Sequence, residues 1–332
     1  MSYVYYILGF SLTVFTIIDV IWTTLWVDGG AGPLSRRVAR TTWKIVEKVL
    51  GKQNKLLTLV GPIILIVTLL SWVITMWTGY TLFFAGSSGS IVDIQNLRPI
   101  GWIDRIYFTG YTIFTLGIGD FAPKPGFWQL VTAFGSGFGM LFLTLGASYV
   151  INVVGAVVDK RSFARSITGL GLTSEEILRL AWDGKDFHQL DLLLMNASDD
   201  ISKLTQQHQA YPLLHYYHSK SKEEASAVGV AILDDVLSVL HYGIKDKEAV
   251  NQVLVQETRS SIETYLDTLT AAFVSPSDTE PQRPDISKLE DTTIPFVKEE
   301  VFMRNLDTLS RRRQKMMGAV NSDNHDWPNG KD

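Results

Sequence analysis

The sequence predicts an all-α membrane protein: three transmembrane helices, a short re-entrant helix between the second and third, and then a helical cytoplasmic domain. Three observations lead there. Residues 3–26, 56–84 and 127–158 form apolar stretches of spanning length. The connection between the second and third holds a helix-sized segment, residues 102–114, that is too short to cross. Beyond about residue 160 the chain turns polar and charged while keeping helical periodicity.

The length argument is geometric. A helix advances about 1.5 Å per residue, so a hydrocarbon core about 30 Å thick takes about 20 mostly apolar residues. Residues 1–27 are therefore read as a transmembrane helix. A secretory leader is the other reading of this segment, but it lacks a basic start and its apolar run is too long for one. Composition agrees with two environments, because an overall hydrophobic content of 46% averages an apolar first half and a polar second half. With no cysteine, disulfide frameworks, thiol catalysis and Cys-ligated metals are excluded. A net charge of -4 argues against a nucleic-acid partner.

Orientation follows the cations. Residues 28–56 carry Arg36, Arg37, Arg40, Lys44, Lys48, Lys52 and Lys55, and Lys160, Arg161 and Arg165 follow the third span. Both regions are expected on the cytoplasmic side. In the connection between spans two and three, Arg98, Arg105 and Lys124 are balanced by Asp93, Asp104 and Asp120, which places it outside. The expectation is a multi-pass plasma (cell inner) membrane protein with an external N-terminus. Val38, Trp43, Ile45, Val46 and Val49 alternate with the cations at near-helical spacing, as in a helix lying in the headgroup layer; a cytoplasmic extension of a transmembrane helix fits equally.

The re-entrant segment leads into Thr115-Leu116-Gly117-Ile118-Gly119-Asp120. Non-helical backbone at membrane depth survives only where protein encloses it or where it lines a wet path. Glycines at 117 and 119 permit left-handed backbone, which lets successive carbonyls face one axis. With Tyr107-Phe108-Thr109 ahead of it, this motif resembles the Thr-Val-Gly-Tyr-Gly-Asp filter of potassium channels, over about residues 57–158. The resemblance implies a homotetramer in membrane lipid that conducts dehydrated K+. The ion ligands would be the carbonyls of Thr115, Leu116, Gly117 and Ile118 and the Thr115 hydroxyl. Asp120 would be the external carboxylate, its other reading being a turn aspartate. K+ is then a permeant ion and no cofactor is expected. Ile118 stands where the family usually has Tyr or Phe, Phe108 where many members have Trp, and Phe114 where threonine is common. These departures predict an apolar cuff behind the filter and put the strength of K+ over Na+ discrimination in question.

The third span holds Gly135, Gly137, Gly139 and Gly146. Gly139 matches the family's hinge spacing from Gly117; close packing of small residues is the other explanation. Met140, Leu143, Ala147 and Ile151 share a helix face and are expected to line the inner cavity, with Leu143 and Ile151 able to close it by dewetting; a lipid-facing stripe has the same spacing. Asp19, within the first span, is expected in a structural pair with a basic residue or near the headgroups, not as a sensor.

The pore domain is taken as residues 57–160, a helical domain as 161–274, a linker as 275–293, a C-terminal helix as 294–320 and a disordered tail as 321–332. Thr173 and Glu176 have capping-box spacing. His208, His215, His218 and His241 lack an adjacent carboxylate motif that would define a metal site, so ordinary core or surface histidines are expected. Arg311-Arg312-Arg313 is expected as a solvated face. No Gly-x-Gly-x-x-Gly occurs, and an unidentified cytoplasmic ligand or partner is left open. No catalytic constellation is found, so a non-enzyme is expected. The functional expectation is a passive potassium-selective channel gated by an unknown stimulus. Its alternatives are a weakly selective cation channel, or a membrane receptor or scaffold with a channel-like core.

Overall fold

A computed structural model describes residues 2–27, 30–51, 55–95 and 98–328; Lys52 of the basic segment and residues 329–332 of the expected tail lie outside these. Two compact units are formed, one from residues 1–45 and 62–153, the other from 46–61 and 154–332.

In the first unit, α1 (Ser2–Leu25) and α3 (Val60–Ala85) are apolar helices of spanning length, joined through α2 (Pro33–Leu50). Glycines bring α1 and α3 together: a Cβ on Gly9 would lie 2.4 Å from the Phe83 amide nitrogen, and one on Gly79 would lie 2.7 Å from Thr13 Oγ1. Close backbone approach of this kind is how helices associate without a hydrophobic driving force. The pore helix α4 (Trp102–Ile113) lies between two short strands, β1 (Ile91–Asp93) and β2 (Phe121–Pro123), which pair antiparallel with Val92 opposite Ala122. Strands of three residues leave no periodic signal, and the ladder was not expected.

Asp19 is fully buried and accepts hydrogen bonds from the Leu34 amide (2.7 Å), the Ser35 hydroxyl (2.6 Å) and the Trp72 indole (2.8 Å). A pair with a basic residue was expected; the carboxylate instead accepts from donors at the start of α2 and from an indole. The reason is the helix terminus itself, whose free amides and partial positive charge favour a carboxylate.

Helix α5 (Phe127–Thr168) is unbroken over 42 residues, about 63 Å of helix and twice a bilayer core, so it continues ten residues past the expected end of the third span. Its last residues, from Val154, belong to the second unit. There α6 (Ser174–Ala181), α9 (Gln252–Ala272) and α11 (Ser310–Ser322) pack against α8 (Ser226–Ser238), every residue of which is buried, while α7 (Asp191–Ala210) packs on α9 and α10 (Glu299–Asp307) on residues 239–243. By length and composition alone residues 226–243 could cross a membrane. Burial within its own unit makes this segment a core helix. Thr173 caps α6 by accepting from the Glu176 amide, while the Glu176 carboxylate accepts from the Leu172 amide (2.7 Å), one residue earlier than in a capping box.

Four expectations for this unit are corrected. Arg311 alone of its run is exposed. Arg312 donates to Asp234 (2.7 Å); Arg313 is 1% exposed, pairs with Asp235, donates to the Gln282 carbonyl (2.7 Å) and lies over the Trp327 ring (5.5 Å). Two aspartates on a core helix require buried cations, and spacing along the chain could not reveal that. The stretch expected as a linker holds buried Ile286 and Leu289 and is tied down by an Arg179–Asp291 pair. The expected single helix over residues 294–320 is broken between α10 and α11, and the described part of the expected disordered tail is packed, with Asp323 and Trp327 buried.

His208 and His215 line one small cavity with Lys160, Tyr265 and Asp323. Asp323 bonds His218 (3.1 Å) and lies 3.6 Å from the Lys160 ammonium, which donates to the Tyr217 carbonyl (3.1 Å). Among the described residues no group of three or more His, Asp or Glu is placed to hold a metal. Burial, reinforced by the Lys160 charge, pushes His208 down to about 4 and His215 to about 3. A histidine kept neutral below its unfolded value excludes a proton that the unfolded chain binds. Stability is therefore lost as pH falls from about 6.5 toward 4, at about 1.4 kcal/mol per pH unit for each histidine. Thermal melts at pH 7, 6 and 5 should fall steadily, and His208→Phe should flatten that slope.

Candidate functional site: the filter and its supports

The pore helix begins where the Asp104 carboxylate accepts from the Gly101 amide (2.8 Å), and Arg98 holds that carboxylate in a two-pronged contact (2.8 and 3.0 Å). Its inner face packs through Phe108 against Phe84 (ring centroids 5.2 Å apart), and Phe84 against Trp128 (4.9 Å). The Thr81 and Thr109 hydroxyls share a hydrogen bond at 2.7 Å. Gly110 lets the Trp77 ring approach; an added Cβ would meet it at 2.9 Å.

After the helix, the Phe114 amide still bonds the Gly110 carbonyl (2.9 Å) and the Leu116 amide the Tyr111 carbonyl (2.8 Å). The chain then leaves helical geometry. Thr115, Gly117 and Gly119 have φ of 57°, 58° and 87°. Every second residue from 115 to 119 is thus left-handed. Composition signalled this at the glycines but not at Thr115, where a β-branched side chain makes the conformation costly and therefore externally held.

The hold comes from behind. Tyr111 donates from its hydroxyl to the Phe121 carbonyl (2.7 Å); Tyr107 donates to Asp120 (3.3 Å), and Gln95 to the other Asp120 oxygen (3.3 Å). The β1–β2 ladder extends to this point, with the Ile94 amide on the Asp120 carbonyl (3.2 Å). An entirely apolar cuff, expected from Ile118 and Phe108, is therefore corrected: two tyrosines one helical turn apart on α4 supply the polar anchors that Ile118 cannot. Their i, i+4 spacing was the available signal. Tyr111→Phe, which deletes one hydroxyl and leaves the Phe121 carbonyl unpaired, should destabilise the filter by about 1–3 kcal/mol. It should change the ratio of Na+ to K+ flux with little change in protein yield, measured by paired flux assays.

The remaining site residues fall into place around this strand. Leu116 and Ile118 are exposed on a single chain, as are the neighbouring residues 114–119. A recess of about 430 Å³ opens beside the filter, bordered by Thr112, Thr115, Gly117, Gln129 and Ser136. On α5, Met140, Leu143, Ala147 and Ile151 lie on one exposed face, while Gly146, Tyr149 and Val153 are buried on the opposite one. Gly139 is not part of that face. A Cβ there would lie 1.8 Å from the Ile113 carbonyl oxygen, so the glycine lets α5 touch the end of the pore helix. That contact accounts for the glycine through packing.

Apolar spanning helices enclosing a re-entrant helix and an alternating-handed strand define a membrane protein with an ion-channel pore unit. The ion channel family model matches residues 66–156, from α3 through the filter to most of α5, and the chain belongs to that family. The chain is also 42% identical over 324 residues to the uncharacterized membrane protein YdjJ of Bacillus subtilis (strain 168), covering 98% of this chain and 95% of that protein. No solved structure matches.

Proposed function

We propose that four copies of this chain assemble a passive, potassium-selective pore, with the carbonyls of Thr115, Leu116, Gly117 and Ile118 and the Thr115 hydroxyl replacing the ion's hydration shell. The observation that carries this reading is the left-handed backbone at Thr115, Gly117 and Gly119. Alternation of handedness turns successive carbonyls toward one side, which is the arrangement that coordinates a dehydrated cation in single file. A single strand offers too few oxygens, so the axis has to be shared by several copies. The exposed apolar side chains around the filter and the open recess beside it are the surfaces such neighbours would cover. The pore helix adds the negative end of its dipole at Ile113.

Met140, Leu143, Ala147 and Ile151 would then face the cavity, and the two largest, Leu143 and Ile151, would close it by dewetting. The second, helical unit would lie on the cytoplasmic side with the basic residues of α2, and the N-terminus outside. The stimulus acting on that unit is left unassigned, and K+ is the only small species that the site needs.

Reconstitution into liposomes under K+ and then Na+ gradients tests the reading. Potassium flux well above sodium flux, abolished in Gly117→Asp, is the expected result. Equal fluxes would favour a weakly selective cation channel. No flux from a verified tetramer, persisting after truncation near Arg165, would favour a receptor or scaffold.

A further inference from the structure

We propose that the Arg36–Arg40–Lys44 row of α2 binds the headgroups of anionic phospholipids, and that the buried Asp19–Ser35–Trp72 joint carries the position of α2 to the inner helix α5. The second clause rests on the channel reading; the first does not.

Arg36, Arg40 and Lys44 are spaced by four, so they lie in one row along the helix, and all three are exposed. The adjacent row carries Arg37, Thr41 and Ile45, exposed as well, with Ile45 58% exposed. A cationic strip flanked by an unburied apolar residue complements an anionic headgroup above an acyl chain. Depth supports the same partner. Leu34 and Ser35, in the first turn of α2, bond to Asp19, which is six residues before the end of α1, about 9 Å inside it. The start of α2 is thus held at the level of the last turns of a spanning helix. Long basic side chains from there reach the headgroup layer by extending along the apolar boundary. A free phosphate ion would use the cations but not Ile45.

The joint is buried and hydrogen-bonded. Asp19, Ser35 and Trp72 are each 0% exposed. The Trp72 indole donates to both Asp19 (2.8 Å) and the Ser35 hydroxyl (3.0 Å). Its ring packs against Phe142 (5.9 Å) and Tyr149 (6.2 Å) of α5, residues that flank Leu143 and Ala147 in the chain. A shift of the first turn of α2 either drags Trp72 or breaks these bonds, and Trp72 touches the helix that bears the proposed gate.

Two readouts on the full-length protein separate the clauses. In the first, phosphatidylglycerol and phosphatidylcholine retained after detergent purification are quantified for wild type and R36Q/R40Q/K44Q, with and without inorganic phosphate. Preferential phosphatidylglycerol retention, falling about fivefold per neutralised cation and resisting phosphate, is expected. Equal retention in the variant, or full displacement by phosphate, overturns the lipid site. In the second, K+ flux is compared in phosphatidylcholine vesicles with and without phosphatidylglycerol for wild type, Trp72→Phe and Ser35→Ala. A lipid-dependent flux in wild type that either joint variant loses, with retention unchanged, is expected. Lipid dependence surviving in both variants overturns the coupling. Absence of flux in every vesicle overturns the coupling, and the channel reading falls with it when the verified tetramer truncated near Arg165 is silent too, while retention still decides the lipid site.

Discussion

Gly139→Ala is expected to eliminate ion flux and to lower the yield of folded protein, whereas Gly137→Ala, two residues away, should do neither. The contrast comes from the surroundings of each glycine. A Cβ at 139 would lie 1.8 Å from a backbone carbonyl oxygen, that of Ile113, and 2.8 Å from its carbon; at 137 nothing lies within 4 Å. Backbone cannot rotate out of the way as a side-chain tip can, so α5 and the end of α4 must separate by more than 1 Å. Overpacking of this sort costs about 1–3 kcal/mol, and here it displaces the residue from which the filter departs. The measurement also decides between the two roles open to Gly139. A hinge glycine replaced by alanine changes how often the pore opens but leaves the melting temperature alone. A packing glycine lowers both, and that is the outcome expected.

Arg313→Ala is expected to destabilise the helical unit by about 3–5 kcal/mol, because it strands the Asp235 carboxylate in the core and removes the donor from the Gln282 carbonyl. Against a typical total stability of about 5–15 kcal/mol, that is a large share and should lower the melting temperature by many degrees. Replacing both partners by apolar residues, Arg313→Met with Asp235→Leu, should recover most of the loss, since an apolar pair of similar volume needs no desolvation. Melts of wild type, single and double variants read this directly. If the double variant is no better than the single, the contribution of Arg313 lies in its contacts with Gln282 and Trp327 and not in the charge pair.

Much of the pore unit was legible because its physics is local. Spanning helices need only length and apolarity, a re-entrant helix needs only to be too short, and left-handed backbone announces itself through Gly117 and Gly119. The unreadable parts are contacts between residues distant in the chain. Asp19 meets Leu34, Ser35 and Trp72 across gaps of 15, 16 and 53 residues. Tyr111 reaches Phe121 around the filter, Gly139 meets Ile113, and Arg312 and Arg313 meet Asp234 and Asp235 across 78 positions. Spacing along one segment cannot show such pairs.

The sequence by itself determined the class of protein, the presence and order of the apolar helices that flank the filter, and the left-handed backbone at the filter glycines, since each follows from properties of contiguous residues. Tertiary structure alone decided which side chains back the filter, what Gly139 packs against, which arginines are buried, and that the apolar stretch at 226–243 is enclosed within its own unit. Hydropathy is the same for a helix facing lipid and one enclosed by other helices, and only the packing distinguishes them.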